Sequence, residues 1–485
     1  MLTWIVFLPL LGVVACALLP KDRPELPRWV ALAVTGADLV LAAIMVARYS
    51  PSGGLQFVER FDWVPQVGIQ YFLGVDGISM PLVALSALLT FLAVIASWKI
   101  EKTPKFYFAM MLLLQVGMNG VFAALDFVLF YVFWELVLVP MYFLIAQWGG
   151  PRREYAAIKF FLYTLLGSVF MLVGIVVLYL QAGTFDMMQL AELGPKLGVG
   201  VQWWIFLAFF LGFAVKVPIF PLHTWLPDAH VEAPTAGSVL LAGVLLKMGT
   251  YGFMRVSLPV LPDAFHSWQW FLGALAVVSI VYGAAVAFAQ ADLKKLVAYS
   301  SVSHMGFAML GIASGTAAGL NGAMAVNISH GLTTGMLFLM VGMVYDRTHT
   351  RQISDLSGVA GQMPVIAGLM AFASFASLGL PGLSGFVGEF LSLLGAWTSP
   401  AIPPWMIIGA AIGVLLGAAY ILWMLQRVVF GQPSALVSGQ PDASTREVLS
   451  VVPLVVLIVV MGVYWSALLA YVNPAVTALA QSLGA

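Results

Sequence analysis

Residues 202–255 read QWWIFLAFFLGFAVKVPIFPLHTWLPDAHVEAPTAGSVLLAGVLLKMGTYGFMR. The stretch holds two apolar runs, 202–222 and 235–255, each matching the about 20 residues that a helix needs to cross a bilayer. One lysine lies inside each run, Lys216 in the first and Lys247 in the second. Pro218 and Pro221 follow Lys216. Neither has an N–H to return to Ala214 or Val217, so the pattern predicts a helix broken beside a buried cation. Broken helices survive at membrane depth where protein or a polar path encloses them. A spanning protein with ionisable groups inside the bilayer is the expectation.

The rest of the chain agrees. Of 485 residues, 62% are apolar and 9% are charged, where soluble proteins carry about 25% charge. No soluble fold hides that much apolar surface behind so few charges. Lys and Arg number 21 and Asp and Glu 21, a balance that argues against a nucleic-acid partner. The single cysteine, Cys16, excludes a disulfide framework, a cysteine-ligated iron–sulfur cluster and a thiolate zinc site within this chain.

Apolar runs recur at 2–19, 29–47, 76–98, 106–125, 127–148, 157–180, 202–222, 235–255, 270–290, 297–314, 320–345, 364–396, 404–430 and 448–471. The fold class is therefore an all-α polytopic membrane protein of about 14 transmembrane helices. The runs are continuous and do not alternate, which argues against a membrane barrel. The first run lacks a basic segment before it, so it is expected to stay as a helix and not to be a cleaved signal. Lys and Arg set the orientation. Fourteen fall in loops after odd-numbered spans: Lys21, Arg23, Arg28, Lys99, Lys102, Lys105, Arg152, Arg153, Lys294, Lys295, Arg347, Arg351, Arg427 and Arg446. Four fall after even-numbered spans: Arg48, Arg60, Lys196 and Arg255. Odd loops thus face the cytoplasm, and both termini the periplasm.

A charge near mid-bilayer costs about 2.5–3.5 kcal/mol on insertion scales, so each one asks for a reason. Besides the two lysines, Glu135 sits in Phe133-Trp134-Glu135-Leu136, and Glu389 in Phe386-Val387-Gly388-Glu389-Phe390. Two acids and two bases allow mutual neutralisation. A static ion pair is the plain alternative for each, and snorkelling is a further one for Lys247. The twelfth run repeats the pattern of the seventh, since Gly379-Leu380-Pro381-Gly382-Leu383-Ser384-Gly385 interrupts it just before Glu389. Two broken helices, each beside an ionisable group, suggest two halves of a repeat. Ser300, Ser301 and His304 share one helix face, and Asn327, His330 and Thr334 another. Neutral imidazoles suit a relay between a lysine and a glutamate. Asp38, inside the second run, has no evident partner and reads as structural; Asp126, between two spans, reads as a helix start.

The block FAVKVPIFPLHTWLPDAHVEAPTAGSVLLAGVLLKMGTYG at 213–252 closely resembles the antiporter-like subunits of respiratory complex I. So do LFYVFWELVLVPMYFLI at 129–145, ADLKKLVAYSSVSHMGF at 291–307 and GLPGLSGFVGEF at 379–390. The resemblance covers roughly 70–430. Among the large antiporter-like types it is most similar to the chain 4 (M-type) family, because Glu389 stands where the sister types carry a lysine and because the chain ends after one more helix. The resemblance implies three N-terminal helices over 1–105. Two inverted five-helix halves follow over 106–255 and 270–430, with the seventh and twelfth helices broken, and a last helix at 448–471. It implies that Glu135, Lys216, Lys247 and Glu389, with His304 and His330 as relays, form a water-linked line that moves protons. It also implies no cofactor in this chain, with NADH, FMN, iron–sulfur clusters and quinone held by partner subunits. Sister antiporter-like chains would flank it in a bacterial cytoplasmic membrane. Some relatives have an acid in the fourth helix, where this chain has only Gln115 and Asn119.

Other readings fit less. A subunit of a sodium/proton antiporter, a membrane-bound hydrogenase or a ferredoxin-dependent relative shares the motifs. Sodium exchange would need an oxygen-rich site, and the mid-helix acids of the motifs are only two. A haem carrier would use His304 and His330 as axial ligands. A passive scaffold does not account for two mid-helix lysines.

Overall fold

Apolar sequence that faces lipid and apolar sequence that faces protein read alike, but the folded chain separates them. The computed structural model describes residues 1–20, 22–51 and 54–484; Lys21, one of the loop cations, lies outside them. The helices are α1 (Leu2–Leu18), α2 (Leu26–Arg48), α3 (Met80–Ala96), α4 (Pro104–Ala123), α5 (Phe127–Trp148), α6 (Arg153–Ala182), α7 (Val199–Lys216) and α8 (Trp225–Glu232). Then come α9 (Thr235–Val260), α10 (Pro262–Phe288), α11 (Leu293–Ser314), α12 (Ala317–Thr348), α13 (Pro364–Ser377), α14 (Ser384–Thr398), α15 (Pro404–Val428), α16 (Thr445–Val463) and α17 (Ser466–Ser482). Twelve of the described helices are long and apolar enough to cross a bilayer, and α1 and α13 are shorter apolar helices.

Burial sorts them into shells. The apolar windows of α9 and α12 are 100% enclosed by protein, whereas those of α2, α15 and α16 are 28% enclosed. The enclosed pair carries Lys247 and His330, so these polar groups are shielded from lipid by the other helices.

Both interrupted runs end their first helix early. α7 stops at Lys216, and residues 217–224 are non-helical before α8. The carbonyl of Ala214 does not stay free: Ile219 N–H returns to it at 3.0 Å. The indole N–H of Trp225 donates to the carbonyl of Val215 at 2.9 Å. Enclosed backbone acceptors thus find partners despite the prolines. The twelfth run is two helices, α13 and α14, and Leu380 N–H returns to the carbonyl of Phe375 at 3.2 Å, again five residues back. Gly379 and Gly382 turn this break with φ of 79° and 92°, a left-handed backbone that suits glycine.

Three features depart from the sequence reading. The all-α membrane class holds, but the polar stretch before the third span contains a hairpin, β1 (Gln56–Val64) antiparallel to β2 (Ile69–Val75). β2 reads IQYFLGV, an apolar run that hydropathy cannot separate from the span that follows. The hairpin clamps the start of α1: Glu59 accepts from the N–H groups of Leu2 at 2.9 Å and Thr3 at 3.1 Å, and pairs with the Met1 ammonium. Arg60 pairs with Asp186 at 2.7 Å.

Second, the run 448–471 is not one helix. α16 ends at Val463 and a separate α17 follows, so the chain does not end after one more helix. α17 buries only Val472, Val476, Leu479 and Ala480, a stripe at helical spacing that gives no long apolar run. It lies against the start of α12, where Asn321 Nδ2 donates to Asn473 Oδ1 at 2.7 Å.

Third, Asp38 has partners, described below. Asp126 starts α5 as expected, its carboxylate accepting from the N–H groups of Val128 and Leu129.

Candidate functional site

Glu135 lies in the first half of α5, just before a joint at Val137. Pro140, which has no N–H, leaves the carbonyl of Leu136 without its helical donor there. The neighbouring Trp134 is fixed by its indole N–H, which donates to Ser168 Oγ on α6 at 3.0 Å. Lys216, 1% exposed at the end of α7, sets its ammonium 5.3 Å from the Trp134 ring centre. That is a cation–π distance in a desolvated setting. Lys216 Nζ makes no hydrogen bond, and neither does Glu135 Oε1. Lys216 Nζ is thus not hydrogen-bonded to Glu135, and the ammonium faces Trp134.

α9 packs on the end of α7 so closely that a Cβ on Gly249 would meet the carbonyl of Phe213 at 2.7 Å. Two π-helical segments, Leu241–Leu245 and Phe253–Ser257, flank the turn that bears Lys247. Such widened turns leave carbonyls open to side chains and recur at functional sites. Here Lys247 Nζ donates to the carbonyl of Ala242.

From Lys247 the polar groups form one line. Lys247 Nζ lies 2.6 Å from His330 Nδ1 on α12. The ring centres of His330 and His304 are 5.8 Å apart. His304 Nδ1 is 3.1 Å from Glu389 Oε1 on α14, and His304 Nε2 is 3.1 Å from Ser377 Oγ at the end of α13. A cavity of about 10 Å³ lies among His304, His330, Ser329, Thr333, Ser377 and Glu389, room for about one water. Asn327 is tied in through Thr250, whose hydroxyl donates to Asn327 Oδ1 at 2.9 Å. Ser300 and Ser301 spend their hydroxyl protons on the carbonyl of Val297 and not on the line.

So four of the six candidates, Lys247, His330, His304 and Glu389, meet in sequence, while Glu135 and Lys216 form a separate group on the α5–α7 side. Both ring nitrogens of His304 are engaged by side chains, which argues against axial ligation by it. Among the described residues, no group of three or more His, Cys, Asp or Glu is arranged to hold a metal ion.

Several polar groups escaped the sequence reading. His230 on α8 is fully buried, stacks on Phe338 of α12 at 4.6 Å and 12°, and leaves both ring nitrogens unpartnered. Its signal was its place in the 213–252 block. Tyr420 of α15 lines a second small cavity with His304 and Glu389; a lone tyrosine in an apolar run carries no such signal. Just before α3, Asp76 pairs with Arg255 near the end of α9 at 2.5 Å. Burial opposes its charge, yet the Arg255 guanidinium and the N–H groups of Ser79 and Ile78 hold its carboxyl below the usual carboxylate range.

Residues 124–417 match the family described as NADH:quinone oxidoreductase/Mrp antiporter, and residues 38–121 match the amino terminus of NADH-ubiquinone oxidoreductase chain 4. The chain is 46% identical to NADH-quinone oxidoreductase subunit M of Rhodobacter capsulatus, over 99% of this chain and 96% of that one. It is 45% identical to NAD(P)H-quinone oxidoreductase chain 4 of Synechococcus sp., over 95% of this chain and 89% of that one. Among solved structures, a chain of respiratory complex I from Thermus thermophilus superposes with a TM-score of 0.91 at 34% identity, covering 100% of both chains. A chain of the Mrp complex from Dietzia sp. shares the fold, with a TM-score of 0.86 at 20% identity and 99% coverage of each. Near-complete coverage by relatives of one kind, with both family segments in register, means that the chain belongs to the NADH-quinone oxidoreductase subunit M (chain 4) family of antiporter-like membrane subunits.

Proposed function

We propose that the chain is a proton-translocating membrane-arm subunit of an NADH:quinone oxidoreductase, moving protons along Glu135, Lys216, Lys247, His330, His304 and Glu389. The observation that carries this reading is the side-chain line from Lys247 through His330 and His304 to Glu389, whose first two members sit on helices wholly enclosed in protein.

Desolvation penalises the charged form of a buried lysine or carboxylate, and an opposite charge nearby offsets the penalty. Glu135 and Lys216 are then coupled, so that the protonation of one changes the proton affinity of the other. A proton arriving at Glu135 removes the negative charge that steadies the Lys216 ammonium. Lys216 passes its proton toward Lys247, the imidazoles relay it, and Glu389 receives it and becomes neutral. Lys216 and Lys247 are not in contact, so this step needs a rearrangement or water at the α7–α9 crossing. Moving one charge against 100 mV costs about 2.3 kcal/mol. A change of two pKa units supplies about 2.7 kcal/mol, so one buried lysine is tuned over the right range.

The driving energy comes from redox chemistry in partner subunits, which hold NADH, FMN, iron–sulfur clusters and quinone. Sister antiporter-like chains flank this one in a bacterial cytoplasmic membrane, with both termini on the periplasmic side. The two breaks support reading 106–255 and 270–430 as inverted halves: in each, an N–H returns to a carbonyl five residues back beside a polar site.

Lys216→Ala tests the reading. The complex is expected to assemble, to lose proton pumping coupled to quinone reduction and to turn over much more slowly. Normal pumping by an assembled Lys216→Ala complex would sink it.

A further inference from the structure

The proton path leaves unused a buried acid inside a span, Asp38. Asp38 is 0% exposed. It lies 12 residues from the start of α2 and 10 from its end, about 15–18 Å from either along the helix, which is mid-bilayer depth. Its Oδ2 accepts from Gln115 Nε2 at 2.6 Å and from Asn119 Nδ2 at 3.0 Å, both on α4. The second hydrogen of Asn119 goes to the carbonyl of Ile5 at 2.9 Å, and Asn119 Oδ1 accepts from Ser86 Oγ of α3 at 2.8 Å. Among the described residues, no cation pairs with Asp38. α1 and α3 contain no charged residue, and the only one in α4, Lys105, is 10 residues from Gln115, about 15 Å away along the helix.

Two atoms in this cluster are buried and unpartnered, Asp38 Oδ1 and Gln115 Oε1. Both are acceptors. The cluster has used the donors that face it and lacks one. A single proton on Asp38 removes the uncompensated charge and makes Oδ1 a donor in place of a stranded acceptor. When the proton leaves, the amide N–H groups of Gln115 and Asn119 already point at the carboxylate that remains. A metal cation fits less well, because hard cations take about six oxygens and this cluster offers two free side-chain oxygens.

The cluster lies one helix away from the line described above. α3, which carries Ser86, packs against α9 and α12, with Leu89 against Gly243 and Leu85 against Gly331. We propose that Asp38 is a second proton-holding site, off the main line, which stores one proton in the resting protein and exchanges it during turnover. The proposal rests on the proton-translocation reading, but its test does not touch any residue of that line.

The experiment compares the intact complex with Asp38→Asn. Asparagine keeps the size of the side chain, accepts from Gln115 and Asn119, and supplies permanently the donor that a protonated carboxyl supplies. It cannot release it as a proton. The first readout is the infrared difference spectrum of the purified complex, recorded on adding NADH in H₂O and in D₂O. A carboxylic-acid C=O band that shifts in D₂O and is lost in Asp38→Asn is expected. The second readout is proton uptake per quinone reduced in reconstituted vesicles, expected to fall in the variant while the amount of assembled complex is unchanged. If the parent has no Asp38 acid band in the difference spectrum, the acid does not change during turnover and the proposal is overturned. If the band exists but Asp38→Asn pumps like the parent, the band reports a protonated acid whose surroundings change, and proton exchange is overturned. Sodium-dependent turnover in the parent that Asp38→Asn abolishes would assign a metal cation to the site and also overturn it. A Lys216→Ala complex that pumps normally would instead remove the main reading, whatever Asp38 does.

Discussion

Glu389→Gln asks whether the end of the line needs a charge or only a hydrogen-bonding group. The carboxylate Oε1 lies 3.1 Å from His304 Nδ1, with both side chains about nine-tenths buried. When His304 carries the transferred proton, it is an imidazolium beside a carboxylate. At an effective dielectric of about 20 and this distance, their attraction is about 5 kcal/mol. Glutamine keeps the shape and removes that attraction. The cost falls on the state in which the proton sits on His304, and corresponds to almost four decades in its population. Glu389→Lys goes further. An ammonium about 4 Å from the imidazolium adds about 4 kcal/mol of repulsion, so keeping a titratable group of the wrong sign is worse than losing the charge. Glu389→Asp keeps the sign with a shorter reach, and is expected to pump partially. The assay is proton uptake by reconstituted vesicles during NADH-driven quinone reduction, normalised to assembled complex. The order expected is parent, Asp, Gln, Lys, with the last two near zero. A glutamine or lysine variant that pumps like the parent refutes the assignment of Glu389 as the terminal acceptor and places the exit elsewhere.

Glu135→Gln is expected to be nearly as damaging to pumping as Glu135→Ala, and Glu135→Asp milder, because the coupling to Lys216 requires charge and not volume; full pumping by the glutamine variant would reduce Glu135 to a structural group. Asp76→Asn should destabilise the protein by about 3–5 kcal/mol, since it strands the buried Arg255 guanidinium without its partner; an unchanged thermal midpoint of the purified complex would contradict this. The same pair sets a pH dependence. The Asp76 carboxyl is held below its ordinary range in the fold. Its contribution is therefore complete above the unfolded-state pKa and is lost as pH falls through the folded value. Acid titration of stability should lose this component in Asp76→Asn, and an identical acid limb in parent and variant would show that the pair adds nothing.

The sequence by itself determined the membrane architecture and most of the candidate residues, because both follow from local chemistry. A run of apolar residues long enough to span is legible one residue at a time, and so is a lysine or glutamate placed inside it at a cost. Pro218 and Pro221 announced the break in α7 because a missing N–H is a property of the residue. What only the tertiary structure decided is which of these groups touch. Lys247 and His330 are 83 residues apart, and His304 and Glu389 are 85. Their meeting depends on how α9, α11, α12 and α14 rotate and pack, about which hydropathy is silent. The same reason explains the reversals. Lys216 turns its ammonium to the Trp134 ring and makes no hydrogen bond, an orientation set by how α5 and α7 pack. Asp38, isolated in its own helix, acquires Gln115 and Asn119 because α2 and α4 turn their few polar side chains toward each other. The β-hairpin and α17 were hidden for a related cause: β2 runs into a span of equal hydropathy, and α17 buries a stripe too narrow to register as a run. Composition counts apolar residues, whereas packing chooses which side of each helix meets protein, and in a bilayer that choice settles where every buried polar group finds its partner.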